Sequence, residues 1–230
     1  MTLDDPELLE REYATSERLE RRRHNVTGWV RGEEPWIEAL AAVAEVRPRR
    51  VLDAGCGDGD FARAVAAPAV VGVDMAAAMV TRARTRGVDA RQARIEDLPF
   101  ADGEFDVVVC NWVLYHLPDV DAGLRELARV LRPGGRFVGI YNRDRHMEEL
   151  WGRIRPASAE SDDYRETLKR HFAQVEERDT EAYTLWASRD DLQAFLDASS
   201  ELLGALEAPP APYPFIVTRR NRVYVAETAQ

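Results

Sequence analysis

Three glycines at alternate positions, Gly55, Gly57 and Gly59, lie in the stretch VLDAGCGDGD, directly after an apolar segment typical of a buried strand. A glycine turn at the end of a strand commonly binds phosphate, because its bare backbone N–H groups and the following helix N-terminus attract anions. This turn also carries acidic side chains, which would repel a phosphate: Asp53, Asp58 and Asp60. The combination favours a ligand that lacks phosphate and carries positive charge near the glycines.

A further acid, Asp74, ends the second predicted strand, 21 residues after Asp53. This spacing suits a carboxylate that accepts hydrogen bonds from ribose hydroxyls. A dinucleotide fingerprint, G-x-G-x-x-G, would need glycine at position 60, where the chain has Asp60. S-Adenosylmethionine (SAM) has a ribose, no phosphate, an α-amino group and a sulfonium. We therefore predict SAM as the cofactor and S-adenosylhomocysteine as its product.

Strand-like and helix-like segments alternate through the middle of the chain. The strand-like segments are rich in Val without polar alternation, as expected of strands that are covered on both faces. Such repetition indicates an α/β fold with an open, doubly wound, mostly parallel sheet. The predicted strands are RRVLDAG, AVVGVD, VDARQA, FDVVVCNW and GGRFVGIYN, and the helices between them are DFARAVAA, AAAMVTRARTRG and VDAGLRELARVL.

We expect one domain over residues 1–230. Residues 1–34 form an N-terminal helical cap, residues 35–142 form the cofactor-binding core, and residues 143–230 supply substrate-side helices and C-terminal strands. In this last part, QVEERDTEAYTLWA predicts a strand. PFIVTRRNRVYVAET predicts one long strand or a hairpin at Arg219–Arg222.

Composition narrows the possible partners. The chain has 31 basic and 41 acidic residues and a net charge of -10, which disfavours nucleic acid and anionic membranes as partners. No apolar run approaches the roughly 18 residues of a membrane helix, and the charged N-terminal stretch predicts a cytoplasmic protein. Two cysteines provide no disulfide framework, and the histidines have no metal-ligand spacing, so no metal is expected: His24, His116, His146 and His171.

Four stretches resemble the class I SAM-dependent methyltransferases, in the broad group that includes ubiquinone-biosynthesis-like enzymes. They are VLDAGCGDG, VVGVDMAAAMVTRAR, EDLPFADGEFDVVVCNWVLYHLPD and ELARVLRPGGRFVGIYN, in this order within residues 50–142. The resemblance implies a seven-stranded sheet with an antiparallel last strand, which RVYVAET could supply. It also implies a set of cofactor contacts: Asp53, Gly55, Cys56 and Gly57 at the methionine end, Asp74 at the ribose, Met75 beside the adenine, and Asn111 and Trp112 facing the cofactor.

Arg94 departs from the pattern of this family. Relatives often have Asp four residues before the Leu of LPF, where it binds the adenine amino group, and this chain has Arg94 there. Arginine cannot accept that hydrogen bond. The adenine contact is then expected from the Ile95 backbone, from Glu96 or Asp97, or from stacking on the Arg94 guanidinium.

Methyl transfer from a sulfonium is an in-line displacement, to which the protein contributes mainly by positioning. A general base is needed only if the acceptor is protonated at neutral pH, and His116 in NWVLYHLPD is the candidate. A structural role for His116 is the alternative. The candidates for the acceptor pocket, with ordinary packing as the alternative for each, are Tyr13, Tyr115, Tyr141 and Asn142.

The leading hypothesis is an enzyme that methylates an O, N or C nucleophile of a small molecule. One alternative is a methyltransferase that acts on a macromolecule. Another is a non-catalytic SAM-binding or regulatory protein; the intact glycine turn and Asp74 disfavour it, whereas Arg94 is compatible with it.

Overall fold

The computed structural model describes residues 13, 30–154, 163–200 and 204–230, which form one twisted eight-stranded sheet with helices on both faces. The strands are β1 (Val30–Gly32), β2 (Arg50–Ala54), β3 (Ala69–Asp74), β4 (Asp89–Gln92), β5 (Phe105–Val109), β6 (Leu131–Asn142), β7 (Gln174–Trp186) and β8 (Phe215–Glu227). The helices are α1 (Pro35–Glu45), α2 (Asp60–Ala64), α3 (Ala77–Thr85), α4 (Val120–Val130), α5 (Glu148–Ile154), α6 (Arg165–Lys169) and α7 (Arg189–Ala198), with a 3₁₀ turn at Leu114–His116.

The strand order is β1-β7-β8-β6-β5-β2-β3-β4. The five strands β6, β5, β2, β3 and β4 pair in parallel, whereas β8 is antiparallel to both β6 and β7. The predicted α/β class and the antiparallel last strand are therefore confirmed. The sheet has one strand more than the predicted seven, because β1 pairs antiparallel with β7 at the sheet edge.

The structure bears on two predictions, one for the N-terminal cap and one for the C-terminal strand or hairpin. The predicted helical cap over residues 1–34 lies mostly outside the described residues, as does His24, and its last part contains the short strand β1. Of the two alternatives for the C-terminus, the chain adopts the single long strand, β8, which pairs with β7 along its whole length.

Each central strand is buried on both faces because alternate side chains enter two separate hydrophobic clusters. Val51 and Val107 pack with α1, whereas Leu52 and Val108 pack with α4. Pro35 at the first position of α1 and Asp119 before α4 favour helix starts there, and the Asp119 carboxylate accepts a hydrogen bond from the Ala122 N–H at 2.9 Å. The two helical layers fix the strands so that the loops after β2, β3, β5 and β6 meet at one edge of the sheet.

No helix within the described ranges is both long and apolar enough to cross a membrane.

Candidate active site

The glycine turn between β2 and α2 is closed by its own hydrogen bonds. Gly55, Gly57 and Gly59 have φ values of +79°, +53° and +83°, a region that glycine adopts without a steric penalty. Four N–H groups of the turn are used internally: Gly55 and Cys56 donate to the Val73 carbonyl at 2.7 and 2.9 Å, Gly57 donates to Asp74 Oδ2 at 2.9 Å, and Gly59 donates to the Cys56 carbonyl at 2.9 Å. These four donors are therefore not available to a phosphate.

Gly55 also allows the turn to touch the loop that follows β5. A Cβ atom at Gly55 would lie 2.4 Å from Cγ2 and 3.0 Å from Cγ1 of Val113. No side chain fits at that distance, so this glycine is required for close approach as well as for its backbone angle. The contact brings the ends of β2 and β5 together.

The acids of the turn have two different environments. Asp58 and Asp60 both form ion pairs with Arg86, which follows α3, and Asp58 is fully buried. Asp53 is buried at the end of β2. Arg86 therefore compensates two of the three acids, so the attraction of the turn for a cationic ligand is weaker than the sequence alone indicates.

Cys56 contributes its backbone to the turn rather than its thiol. The side chain is buried, and its Sγ lies 2.7 Å from the position that a Cβ at Gly72 would occupy. Burial raises the pKa of the Cys56 thiol far above its ordinary value, and the nearby Asp53 and Asp74 charges raise it further. The thiol is therefore protonated and inert at neutral pH.

Asp74 lies at the carboxyl end of β3, beside the glycine turn. Its Oδ2 accepts from the Gly57 N–H and its Oδ1 accepts from the Ala76 N–H, each at 2.9 Å. Burial raises the pKa of Asp74, and these two hydrogen bonds act in the opposite direction. Each carboxylate oxygen has a second lone pair, so the group keeps the capacity to accept from hydroxyls of a ligand.

The adjacent loop that was expected at the adenine is held from the end of β4. Gln92 Nε2 donates to the Met75 carbonyl at 3.0 Å, an interaction that the sequence analysis missed. Further along, Arg94 is half exposed and pairs with Glu96 at 3.0 Å, while the Ile95 side chain is buried in the core. At these two positions, the groups that could contact the adenine are therefore the backbone of Ile95 and the guanidinium of Arg94, whereas the side chain of Ile95 could not.

The loop after β5 carries a strained residue and a buried amide. Trp112 has a φ of +55°, unusual for a bulky side chain, and its N–H donates to the Ile140 carbonyl at 2.9 Å. Asn111 Oδ1 accepts from the Ile140 N–H at 3.1 Å, while its buried Nδ2 has no hydrogen-bond partner among the described residues. This amide is a hydrogen-bond donor at the carboxyl edge of the sheet, next to the glycine turn.

His116 ends the 3₁₀ turn and contacts the N-terminal part of the chain. Its Nε2 lies 3.2 Å from the hydroxyl of Tyr13, and the two rings meet edge to face. Tyr115 also packs edge to face on His116, with ring centroids 4.3 Å apart. Three of the predicted catalytic and acceptor-pocket residues therefore form one cluster.

The two remaining acceptor-pocket candidates, Tyr141 and Asn142, differ in accessibility. Tyr141 is 0% exposed and its hydroxyl donates to the Cys110 carbonyl at 2.5 Å. No part of Tyr141 is available to an acceptor, so its prediction is corrected to a core role. Asn142 is partly buried at the end of β6, where its Oδ1 accepts from Asn221 Nδ2 at 3.1 Å.

His146 lies just beyond β6 and is held in one tautomer. Its Nδ1 is 2.8 Å from the Arg220 carbonyl, and because a carbonyl only accepts, Nδ1 carries the proton and Nε2 is unprotonated. Burial lowers the pKa of His146 to about 4, although this hydrogen bond opposes the shift. The ring is therefore neutral at pH 7. Within the ranges given above, no group of three or more His, Cys, Asp and Glu could hold a metal ion.

The sequence similarity to the known proteins named here covers less than half of this chain. Residues 52–139 match the family model described as methyltransferase domain. A ubiquinone biosynthesis O-methyltransferase of Xanthomonas oryzae pv. oryzae is 37% identical over 117 residues, 46% of this chain and 49% of that protein. A demethylmenaquinone methyltransferase of Deinococcus radiodurans is 40% identical over 114 residues, 45% of this chain and 47% of that protein. The chain thus spans about half the length of these curated relatives.

The fold extends beyond this region of sequence similarity. The solved structure of a SAM-dependent methyltransferase, possible histamine N-methyltransferase, from Thermotoga maritima matches with a TM-score of 0.62 at 16% identity, covering 96% of this chain and 99% of that chain. This likeness shows a Rossmann-like methyltransferase fold. The chain is therefore similar to SAM-dependent methyltransferases in sequence over residues 52–139 and in fold over most of its length.

Proposed function

We propose that this protein transfers a methyl group from SAM to an O, N or C nucleophile of a small molecule. The observation that carries the proposal is the arrangement of the glycine turn against Asp74: four N–H groups of the turn are used internally, and the carboxylate beside it retains acceptor capacity. This arrangement suits a nucleoside without phosphate.

The residues present fit SAM as the cofactor. Asp74 would accept from the ribose hydroxyls, and the buried Nδ2 of Asn111 is a donor for a polar group at the methionine end. The Ile95 backbone and the Arg94 guanidinium are the candidates for the adenine. SAM supplies an electrophilic methyl group on a sulfonium, and the protein's task is to align the nucleophile with it.

We assign the proton-transfer role, where the acceptor needs one, to Tyr13 and His116. The Tyr13 hydroxyl lies 3.2 Å from Nε2 of His116 and can donate to it in the tautomer that has its proton on Nδ1. As the acceptor oxygen or nitrogen forms its bond to carbon, its proton passes to the Tyr13 oxygen while the Tyr13 proton passes to His116. General base catalysis of this kind contributes about 10²–10⁴-fold. Asn142 and Tyr115 remain proposed acceptor contacts.

A titration of the purified protein with S-adenosylhomocysteine, with NAD as the control ligand, tests the cofactor assignment. We expect micromolar binding of the former and none of the latter. Labelled SAM is then incubated with a panel of small phenols, amines and carbon acids. Transfer of label supports the proposal, binding without transfer to any of them favours the non-catalytic alternative, and failure to bind S-adenosylhomocysteine refutes the proposal.

A further inference from the structure

Arg86, the residue directly after α3, reaches back to the glycine turn. Its Nη1 lies 2.7 Å from Asp58 Oδ2 and 3.4 Å from the Asp58 carbonyl, and its Nη2 pairs with Asp60 Oδ1. One guanidinium therefore joins two acids that flank Gly59. The pairs connect residues 26 and 28 positions apart in the chain.

The burial of Asp58 makes this interaction more than a surface ion pair. The Asp58 side chain is 1% exposed and that of Arg86 is 28% exposed. A buried carboxylate is costly unless a charged or hydrogen-bonding partner compensates it, and the planar guanidinium fork matches carboxylates in a fixed geometry. Removing Arg86 would take this compensation from the buried Asp58 carboxylate, which favours movement of the segment toward water.

That segment also sets the shape of the cofactor turn. Asp58 follows Gly57, whose N–H binds the Asp74 carboxylate, and Asp60 is the first residue of α2. A shift of Asp58 would therefore reach the Gly57–Asp74 contact through one peptide unit. The contacts therefore connect Arg86 to Asp58, Asp58 to the neighbouring Gly57, and Gly57 to Asp74, the proposed acceptor for the ribose hydroxyls.

We propose that Arg86 is a positioning residue for cofactor binding: it fixes the glycine turn through Asp58 and Asp60 without itself contacting the cofactor. This inference rests on the proposed function. It also explains why an acid-rich turn remains ordered, since Arg86 compensates two of its three negative charges.

The test compares the dissociation constants of SAM and S-adenosylhomocysteine in the natural protein, Arg86→Gln, Arg86→Lys and Arg63→Gln. Arg63 is an exposed arginine of α2, so its variant matches the loss of charge without the ion pairs. For Arg86→Gln we expect both dissociation constants to rise about tenfold, the effect of a lost charged hydrogen bond. Arg86→Lys should recover part of this loss, and Arg63→Gln should change binding less than twofold.

Two results with a folded Arg86→Gln protein would overturn the proposal. One is unchanged binding in a folded Arg86→Gln protein. The other is tighter binding of cationic SAM with unchanged S-adenosylhomocysteine, which would mean that Arg86 acts only through its charge. If Arg86→Gln does not fold, Asp60→Asn removes one arm of the interaction and should weaken both ligands; unchanged binding there refutes the proposal. Failure of the natural protein to bind either ligand would instead refute the proposed function.

Discussion

Replacing Gly55 by alanine tests whether the glycine turn and the loop after β5 pack as closely as the structure indicates. An alanine at a φ of +79° carries the cost of a left-handed backbone, about 1–2 kcal/mol. Its Cβ would also lie 2.4 Å from Val113 Cγ2, 3.0 Å from Cγ1 and 3.2 Å from Cβ. Because all three atoms are close and Val is stiff at χ1, rotation of the side chain cannot clear the overlap. Overpacking of this kind costs about 1–3 kcal/mol, for a total of about 2–5 kcal/mol.

Gly87→Ala is the matched control. Gly87 has a φ of +87°, and a Cβ there would meet nothing within 4 Å, so this variant carries the backbone cost alone. Urea unfolding of both variants therefore separates the steric cost from the backbone cost. The double variant Gly55→Ala with Val113→Ala, compared with Val113→Ala alone, should recover the steric part.

Binding of S-adenosylhomocysteine provides the functional measurement. An alanine at Gly55 displaces the turn from the loop that carries Asn111, so its affinity should fall under conditions where the variant is folded. Gly87→Ala should bind like the natural protein. Equal destabilisation by Gly55→Ala and Gly87→Ala, with equal affinities, would show that the close approach to Val113 is absent and would refute the reasoning.

Lowering the pH from 7 to 5 should reduce the free energy of unfolding by about 2 kcal/mol more in the natural protein than in His146→Gln. The reason is that the pKa of His146 is about 4 in the folded protein and 6.5 ordinarily, so the unfolded chain takes up the proton at a higher pH. Urea unfolding at both pH values measures the effect, and an equal loss of unfolding free energy in the two proteins would contradict this. Asp74→Ala should weaken S-adenosylhomocysteine binding by about 1–3 kcal/mol, because two or more hydrogen bonds to a carboxylate are lost. The exposed control Asp190→Ala should bind S-adenosylhomocysteine with the affinity of the natural protein. An unchanged affinity in Asp74→Ala would show that Asp74 does not bind the ribose. Tyr141→Phe should cost about 0.5–1.5 kcal/mol in unfolding free energy through loss of its bond to the Cys110 carbonyl, while cofactor affinity stays the same; a large fall in affinity would return Tyr141 to the site.

The parallel core of the sheet could be predicted from the sequence because each of its strands is a local apolar run. Phe105–Val109 is an example, with side chains buried on both faces. The edge strand Val30–Gly32 has no comparable pattern. It forms because its backbone pairs with Thr184 and Ala182, far along the chain, and a three-residue segment carries no signal of such a partner.

In the candidate site, too, features that depend on nearby residues could be predicted, whereas contacts between distant parts of the chain could not. The position of Asp74 beside the glycine turn could be predicted because the end of a strand and its distance along the chain from that turn are local features. The ion pairs of Arg86 could not be predicted. A basic residue is common at the end of a helix, where it interacts with the helix dipole, and nothing near Arg86 in the sequence indicates that it pairs with acids 26 and 28 positions earlier. Tyr141 could have been assigned correctly: period two places it on the same face of β6 as Phe137, which is also fully buried.

Most of the non-glycine residues with a positive φ among those described lie in two loops that follow neighbouring strands. Four described residues other than glycine have positive φ, and three of them follow neighbouring parallel strands: Trp112 after β5, and Arg145 and Met147 after β6. Such conformations cost about 1–3 kcal/mol each and persist where the surroundings enforce them, commonly at functional sites. The carboxyl ends of two adjacent strands are also where ligands bind in open α/β sheets. We therefore expect the acceptor to bind above β5 and β6, beside neutral His146, rather than above β3 and β4.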